Sequence, residues 1–306
     1  MGFQALDSAD DGLAAAARHG LHLVTPDAEL DPVGLDFIVV HARDAAGQWW
    51  VARSPRREDV VAAARREAAV LAVVRARLPV AVPEWRIHAD DLIAYPRLPG
   101  TPAVTQPGGA PTWNGLDPAA PTDAFLDGMA ALLVALAAAT PWAQAAGVRV
   151  QTTAEDHREL ARALDLAADV LTPSRAVMDR WQRWIDDLDA WPVRRALVHG
   201  DLHPGHLLLT EGGRLTGVLD WTEAQIGDPS TDLAMMHRCF GRGVLDDLVA
   251  RCTRRDGGDW AELIPHAIER AAAFPAIGAA WAVRTGTTSM LSYLREQLAD
   301  SEPGRG

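Results

Sequence analysis

The chain has no lysine. All 29 of its basic residues, in 306, are arginine. Any phosphate contact that an ammonium group would normally make must therefore fall to a guanidinium, a planar fork of donors with a different reach. Cysteine is nearly absent as well. Cys239 and Cys252 are the only two, no metal-ligand pair accompanies them, and they are expected as buried small hydrophobes in a reducing cytoplasm. Residues 1–11 are acidic and carry no basic n-region, so no secretory signal is expected and the cytoplasm is the expected location. The longest apolar run, 129–139, is shorter than the ~20 residues a bilayer span needs. It reads as a buried helix, and no membrane partner is expected. A formal charge of −12 argues against a nucleic-acid partner bound through a basic face. There is no internal repeat and no low-complexity segment, and protein partners are left unspecified.

Length alone favours two lobes. Hydrophobic periodicity predicts a helix over 10–20 and strands over 29–31, 35–41 and 48–53. Val61, Ala64, Ala68, Leu71 and Val74 fall at helical spacing and predict a helix over 57–77; strands follow over 82–88 and 92–95. Residues 96–116, rich in Pro, Gly and Thr, read as hinge and connecting loop. Helices are then expected over 122–139, 154–171 and 173–188, and later over 229–240, 243–254, 260–273 and 277–299. The class is α+β and bilobal: a strand-rich lobe over 1–96 and a larger, mainly helical lobe over 97–306.

One stretch carries the chemistry. His199-Gly200-Asp201-Leu202-His203-Pro204-Gly205-His206 leads into a strand, a turn at Gly212-Gly213, and a second strand that ends on Asp220-Trp221. Asp201, Asp220 and His206 would converge on one point. Phosphoryl transfer needs such a set: an acid to orient the attacking hydroxyl, and an acid with a second ligand to hold the metal that neutralises the phosphates. Protein kinases place an Asn five residues after the first Asp and a Phe after the second. Here those positions hold His206 and Trp221.

This pattern resembles the aminoglycoside-phosphotransferase branch of the kinase-like fold. Within that branch the chain is similar to the macrolide 2′-phosphotransferases. The motifs are Trp50-Val51-Ala52-Arg53-Ser54-Pro55-Arg56-Arg57, the Leu-Pro-x-Ala-Val-Pro-x-Trp-Arg run over 78–86, Ala94-Tyr95-Pro96, and Asp220-Trp221-Thr222-Glu223-Ala224. They lie between about Leu21 and Pro229; beyond that only length and helix content agree. The resemblance implies a bilobal kinase-like fold. It also implies transfer of the γ-phosphate of GTP to the 2′-hydroxyl of a macrolide's amino sugar, with Mg²⁺ as the metal. An aminoglycoside or small-metabolite kinase using ATP or GTP is the alternative. A nucleotide-binding regulator would be expected to lack Asp201 or Asp220, and both are present.

Each residue also has a plainer reading. Asp201 is expected to orient the acceptor hydroxyl rather than brace a loop. A metal explains an acid at the strand end better than an ion pair, which assigns Asp220. Imidazole is a weaker magnesium ligand than an amide oxygen, so His206 takes the metal position by resemblance alone. His199 is expected to brace the loop, and His203 is left without a role. Arg53 stands where the kinase lysine stands, and Glu67, 14 residues on, could pair with it; the plainer reading of Glu67 is an exposed helix acid. Pro32-Val33-Gly34 occupies the place of a glycine-rich cover, with one glycine and a proline that lacks an N–H. Tyr95, Arg97 and Leu98 fall in the expected hinge, where backbone groups read the base. Asp228 is either a helix cap or a carboxylate for the cationic sugar, and Asp232 is expected to brace the loop. Phe274, Ile277, Ala280, Trp281 and Tyr293, with Met236, form an apolar set suited to a lactone, although ordinary core is the plainer role for each. No Ala-Pro-Glu follows Asp220, so a protein-kinase activation loop is absent and a small-molecule acceptor is expected.

Overall fold

A computed structural model of the chain describes residues 8–31, 36–105 and 111–300. Two compact units emerge: Met1–Gly115 with Ala145–Val148 and Pro204–Ala224, and Leu116–Gln144 with Arg149–His203 and Gln225–Gly306. The Pro32-Val33-Gly34 loop lies outside the described residues.

The first unit is built on an antiparallel sheet of β1 (Leu23–Asp31), β2 (Phe37–Asp44), β3 (Trp49–Pro55), β4 (Ile87–His88) and β5 (Ile93–Pro96), in the order β1-β2-β3-β5-β4. Alternation along β3 sends Ala52 to one face and Val51 to the other. The Ala52 face packs with Ile38, Ala94 and Ala15 and Ala16 of helix α1 (Ala9–Arg18). The Val51 face packs with Phe37, Tyr95 and Val60 and Ala64 of helix α2 (Glu58–Val74). Ser8 caps α1, its hydroxyl accepting from the Asp11 N–H.

Two expectations need correction here. Of 82–88, only Ile87 and His88 pair as strand. Pro83 has no N–H to give a ladder, and Ala81 turns to the neighbouring strand instead, donating to Thr216 O and accepting from Val218 N at 2.9 Å each. The 96–116 segment is not plain loop. It contains β6 (Thr101–Pro102), β7 (Val104–Thr105) and β8 (Thr112–Trp113).

In the second unit, α3 (Asp123–Ala145) runs past the expected end, through Pro141. By length and composition it could cross a membrane; here Phe125, Met129, Leu132 and Leu136 are buried in the core of the unit. Helices α4 (Thr153–Leu171) and α5 (Arg175–Asp186) follow, α4 opened by a reciprocal capping box between Thr152 and Glu155. Strand β9 (Ala196–Val198) leads to residues 199–203. The chain then returns to the first unit for β10 (Leu207–Leu209) and β11 (Leu215–Val218), which join β6 in the order β11-β10-β6. Back in the second unit, β12 (Gln225–Gly227) pairs with β9. Helix α6 (Ser230–Asp256) joins the two expected helices across a kink at Gly241, and α7 (Ile264–Ala272) follows. The single helix expected over 277–299 is two, α8 (Phe274–Thr285) and α9 (Met290–Asp300). Gly286 stops the first at φ 74°, a left-handed cap.

Gly100, before β6, sits at φ 108°, and a Cβ there would lie 2.4 Å from Thr216 Oγ1 and 3.0 Å from Leu209 O. Gly20 has φ 81° with nothing within 4 Å. Gly100→Ala is expected to cost about 3 kcal/mol, combining left-handed strain and overpacking. Gly20→Ala is expected to cost about 1 kcal/mol, from strain alone. Urea unfolding of the two variants checks the ranking; equal costs would show that contact at Gly100 relaxes freely.

Candidate active site

In the first unit Arg53 and Glu67 meet. Arg53 is 6% exposed and Glu67 0%. Arg53 Nη2 donates to Glu67 Oε2 at 2.5 Å. The register places Arg53 opposite Val39 on β2 and Ile93 on β5, in the middle of the sheet. Burial works against the Arg53 charge, but Glu67 outweighs it and holds the guanidinium protonated. Burial pushes the Glu67 carboxyl up, and Arg53 pulls it back. The other Glu67 oxygen accepts from the Trp221 N–H at 3.3 Å, and Thr222 Oγ1 lies 3.4 Å from Oε2. The Trp221 and Thr222 links have no signal in the sequence beyond their place after Asp220.

Asp220 precedes that contact in the left-handed region, at φ 56°. Such strain in a non-glycine residue marks a position that its surroundings over-determine. Its Oδ2 lies 3.7 Å from His206 Nε2, and the side chains are 44% and 18% exposed. The chain's one asparagine, Asn114, is elsewhere, donating to Pro102 O at 3.0 Å and Thr105 Oγ1 at 3.2 Å. No amide of the kinase type can therefore stand in for His206. In the expected hinge, the Tyr95 phenol is buried and pushed up to about 12 by that burial. Arg97 N donates to Trp49 O at 2.8 Å, while the Arg97 side chain is exposed and Leu98 half-buried.

In the second unit the loop carrying Asp201 hangs on helix α6. Asp232 receives the His199 and Gly200 N–H groups, one on each carboxylate oxygen, both at 2.9 Å. His199 is wholly buried and its Nδ1 accepts from the Asp201 N–H at 3.3 Å. The Asp201 side chain is left 41% exposed, with His203 Nε2 3.9 Å from its Oδ2. Cys239, on α6, feels the Asp201 charge; burial first, then that charge, pushes its thiol up to about 11.

Asp228 and Met236, expected to meet an acceptor, are each 1% exposed. That is a correction: both are interior. The Asp228 carboxylate accepts from Ser230 N at 2.9 Å, Ser230 Oγ at 2.7 Å and Arg270 Nη2 at 3.1 Å. Arg270 also donates to Asp156 at 2.6 Å. His266 Nε2 sits 3.1 Å from the same carboxylate, poorly aligned for a hydrogen bond. The Trp184 indole, a donor only, gives its proton to His266 Nδ1 at 3.1 Å, so the imidazole proton belongs on Nε2, toward Asp228. Burial opposes ionisation of Asp228, but Arg270, His266 and Ser230 outweigh it and hold the carboxyl far below its usual range.

The remaining expected acceptor residues divide. Phe274 and Ile277 are half-buried and pack on the cluster of Leu160, Trp181, Ala276 and Leu294. Ala280 and Trp281 are half-buried, and Tyr293 is 51% exposed. Arg238, which no motif marks, lies with its Cζ 3.8 Å from the Phe274 ring centre and donates to Gln297 Oε1 at 3.2 Å.

Asp232 gives a pH test of the loop anchor. Burial, reinforced by Asp201 and Asp228, raises it from 3.8 to about 6 against the two amide hydrogen bonds. A raised folded value favours the neutral acid in the fold. Its contribution is full below the unfolded value and is lost as pH rises through the folded one. Unfolding free energies of wild type and Asp232→Asn, compared from about pH 4 to about pH 7, are expected to show the wild type losing stability relative to the variant. A difference that stays flat would contradict the shift.

Comparison with known proteins agrees with this geometry. The model of the phosphotransferase enzyme family matches residues 27–266. The Bacillus subtilis (strain 168) protein YcbJ, itself uncharacterized, is 38% identical over 289 residues, covering 92% of this chain and 93% of that one. A solved macrolide 2′-phosphotransferase type I is 35% identical with a TM-score of 0.86, over 99% of this chain and 100% of that one. The macrolide 2′-phosphotransferase of Brachybacterium faecium, solved as the apoenzyme, is 32% identical with a TM-score of 0.82, over 97% and 100%. The expected kinase-like α+β fold is the one these chains share. With most of its length matched by the family model, and with relatives alike from end to end, the chain belongs to the phosphotransferase enzyme family.

Proposed function

We propose that this phosphotransferase moves the γ-phosphate of GTP to the 2′-hydroxyl of the amino sugar of a macrolide, with Mg²⁺ as the metal. The observation that carries the acceptor is the likeness to a macrolide 2′-phosphotransferase at 35% identity along 99% of the chain. The same transfer would confer antibiotic resistance. A positive charge supports a macrolide over a polycationic aminoglycoside: Arg238 has its Cζ 3.8 Å from the ring centre of Phe274, one of the residues expected to meet the acceptor.

The residues fit the donor. Arg53, held charged by Glu67 in the middle of the sheet, would supply the cation for the nucleotide phosphates that a lysine supplies in kinases. Asp220 and His206 present an oxygen and a nitrogen 3.7 Å apart, beyond a direct hydrogen bond and compatible with two ligands of one cation. A bound Mg²⁺ would supply charge neutralisation on the phosphates. Asp201, exposed on a loop held by Asp232 and His199, would accept a hydrogen bond from the attacking hydroxyl and aim it at phosphorus. Tyr95, Arg97 and Leu98 would flank the base, which backbone groups would read.

Purified enzyme, with GTP and ATP each crossed against a macrolide and an aminoglycoside, tests the reading. The expected product is a macrolide monophosphate formed faster from GTP. Phosphorylation of the aminoglycoside alone would overturn the acceptor, and equal rates with ATP would overturn the donor. Asp201→Ala is expected to lower kcat by about 10²–10⁴-fold with GTP affinity kept. Asp220→Ala is expected instead to abolish the magnesium dependence of GTP binding in calorimetry. Unchanged turnover in the first, or unchanged magnesium dependence in the second, removes that residue from its role.

A further inference from the structure

The remaining question at Arg53 is what fixes the plane of its guanidinium. Glu67 cannot do so alone. Its contact is the single bond from Nη2 to Oε2, while Oε1 accepts from the Trp221 N–H. A bidentate fork would lock the plane, whereas one bond leaves the group free to pivot. Three aromatic rings stand around it instead. The Arg53 Cζ lies 4.4 Å from the ring centre of Phe37, 4.9 Å from Trp85 and 5.9 Å from Tyr95, all within cation–π range. Phe37 comes from β2 and Tyr95 from β5, each on a strand beside β3; Trp85 comes from the segment before β4.

Resting on the reading of Arg53 as a phosphate-binding arginine, we propose that Phe37, Trp85 and Tyr95 form a cage that fixes the guanidinium plane, and that Trp85 is its positioning residue. The cage turns the unshared N–H groups of Arg53 toward the nucleotide phosphates. Trp85 is singled out for two reasons. Indole is the strongest cation–π partner of the three rings. Its Nε1–H is also buried without a hydrogen-bond partner among the described residues, as is Arg53 Nε. With neither donor held by a protein acceptor among the described residues, ring contact rather than a hydrogen bond at these atoms sets how indole and guanidinium lie against each other. The cage also suits arginine at this place: a lysine ammonium could still meet the rings as a point charge but has no plane for them to fix. Trp85 also packs against the cluster of Phe37, Val51, Val60 and Tyr95. A residue that served packing alone would affect stability without depending on Arg53.

Calorimetric titration of GTP with magnesium into wild type, Trp85→Leu, Arg53→Ala and the double variant separates these roles. Trp85→Leu is expected to weaken GTP binding about tenfold in the wild-type background. In the Arg53→Ala background it is expected to change nothing, and Trp85→Phe, which keeps a ring, is expected to recover part of the loss. Equal weakening in both backgrounds, or none in the first, overturns the cage. An Arg53→Ala variant that binds GTP as wild type does would instead sink the phosphate-binding reading. Either that outcome or binding too weak to measure leaves the cage to a second measurement. The ¹⁵N heteronuclear NOE of the Arg53 Nε–H is expected to be high in wild type and to fall in Trp85→Leu; an unchanged value overturns the cage.

Discussion

Glu67 is a carboxylate with no exposure to water, and the first unit is arranged around satisfying it. An enclosed charge must be paired and hydrogen-bonded or it is too costly to keep. Glu67 draws its partners from three places far apart in the chain: Arg53 on β3, the Trp221 N–H beyond β11, and the Thr222 hydroxyl. Residues 221–222 are thereby pinned to α2, and Asp220 is held between β11 and that pinned contact at φ 56°. Removing either partner of a buried pair typically costs about 3–5 kcal/mol, because the other charge is left alone. The position of Asp220 and the charge state of Arg53 thus depend on the same carboxylate.

The second unit repeats the device with a different outcome. Asp228 and Asp232 are both buried and stand one helical turn apart at the start of α6. Their acidities are driven in opposite directions. Asp228 has a guanidinium against it, Arg270, and is held far below its usual range. Asp232 has only the amides of His199 and Gly200, and burial wins, raising it to about 6. A guanidinium, helped by His266 and Ser230, outweighs burial at Asp228; two neutral donors do not outweigh burial and the nearby charges of Asp201 and Asp228 at Asp232. The loop bearing Asp201 is therefore held by an acid whose charge varies within an accessible pH range, beside one whose charge does not.

What could be read from the sequence followed the range of each interaction. The Arg53–Glu67 pair was legible because a strand end and the helix after it fix their separation, 14 residues. The loop over 199–206 and the two flanking strands were legible because motif and local pattern coincide. Asp228 was misread for the opposite reason. Next to Pro229 it looks like a helix-start acid, while its partner Arg270 is 42 residues away with no pattern between them. The break at Gly286 was hidden by apolar spacing that continues on both sides of it. The strand expected over 82–88 has the right residue types, but Pro83 and the pull of β11 on Ala81 leave only Ile87–His88 paired.

The absence of lysine bears on more than composition. Among the described residues, the arginines buried below a tenth exposure are Arg53 and Arg270, and each closes a carboxylate network at the heart of its unit. Burial lowers the proton affinity of a base that is charged only when protonated. A lysine so enclosed readily becomes neutral near physiological pH, whereas a guanidinium starts from so high a value that burial leaves it charged. Glu67, Asp156 and Asp228 can therefore be enclosed because the cation beside them cannot give up its charge. A guanidinium also brings more N–H groups than one carboxylate can take, and the excess must go somewhere. In Arg270 it reaches a second carboxylate, Asp156. In Arg53 the bond goes to Glu67 alone, and the rings of Phe37, Trp85 and Tyr95 stand where Arg270 has its second carboxylate; Nε is without a protein acceptor among the described residues in both arginines, so it is the surroundings of the guanidinium, aromatic in one unit and acidic in the other, that distinguish them.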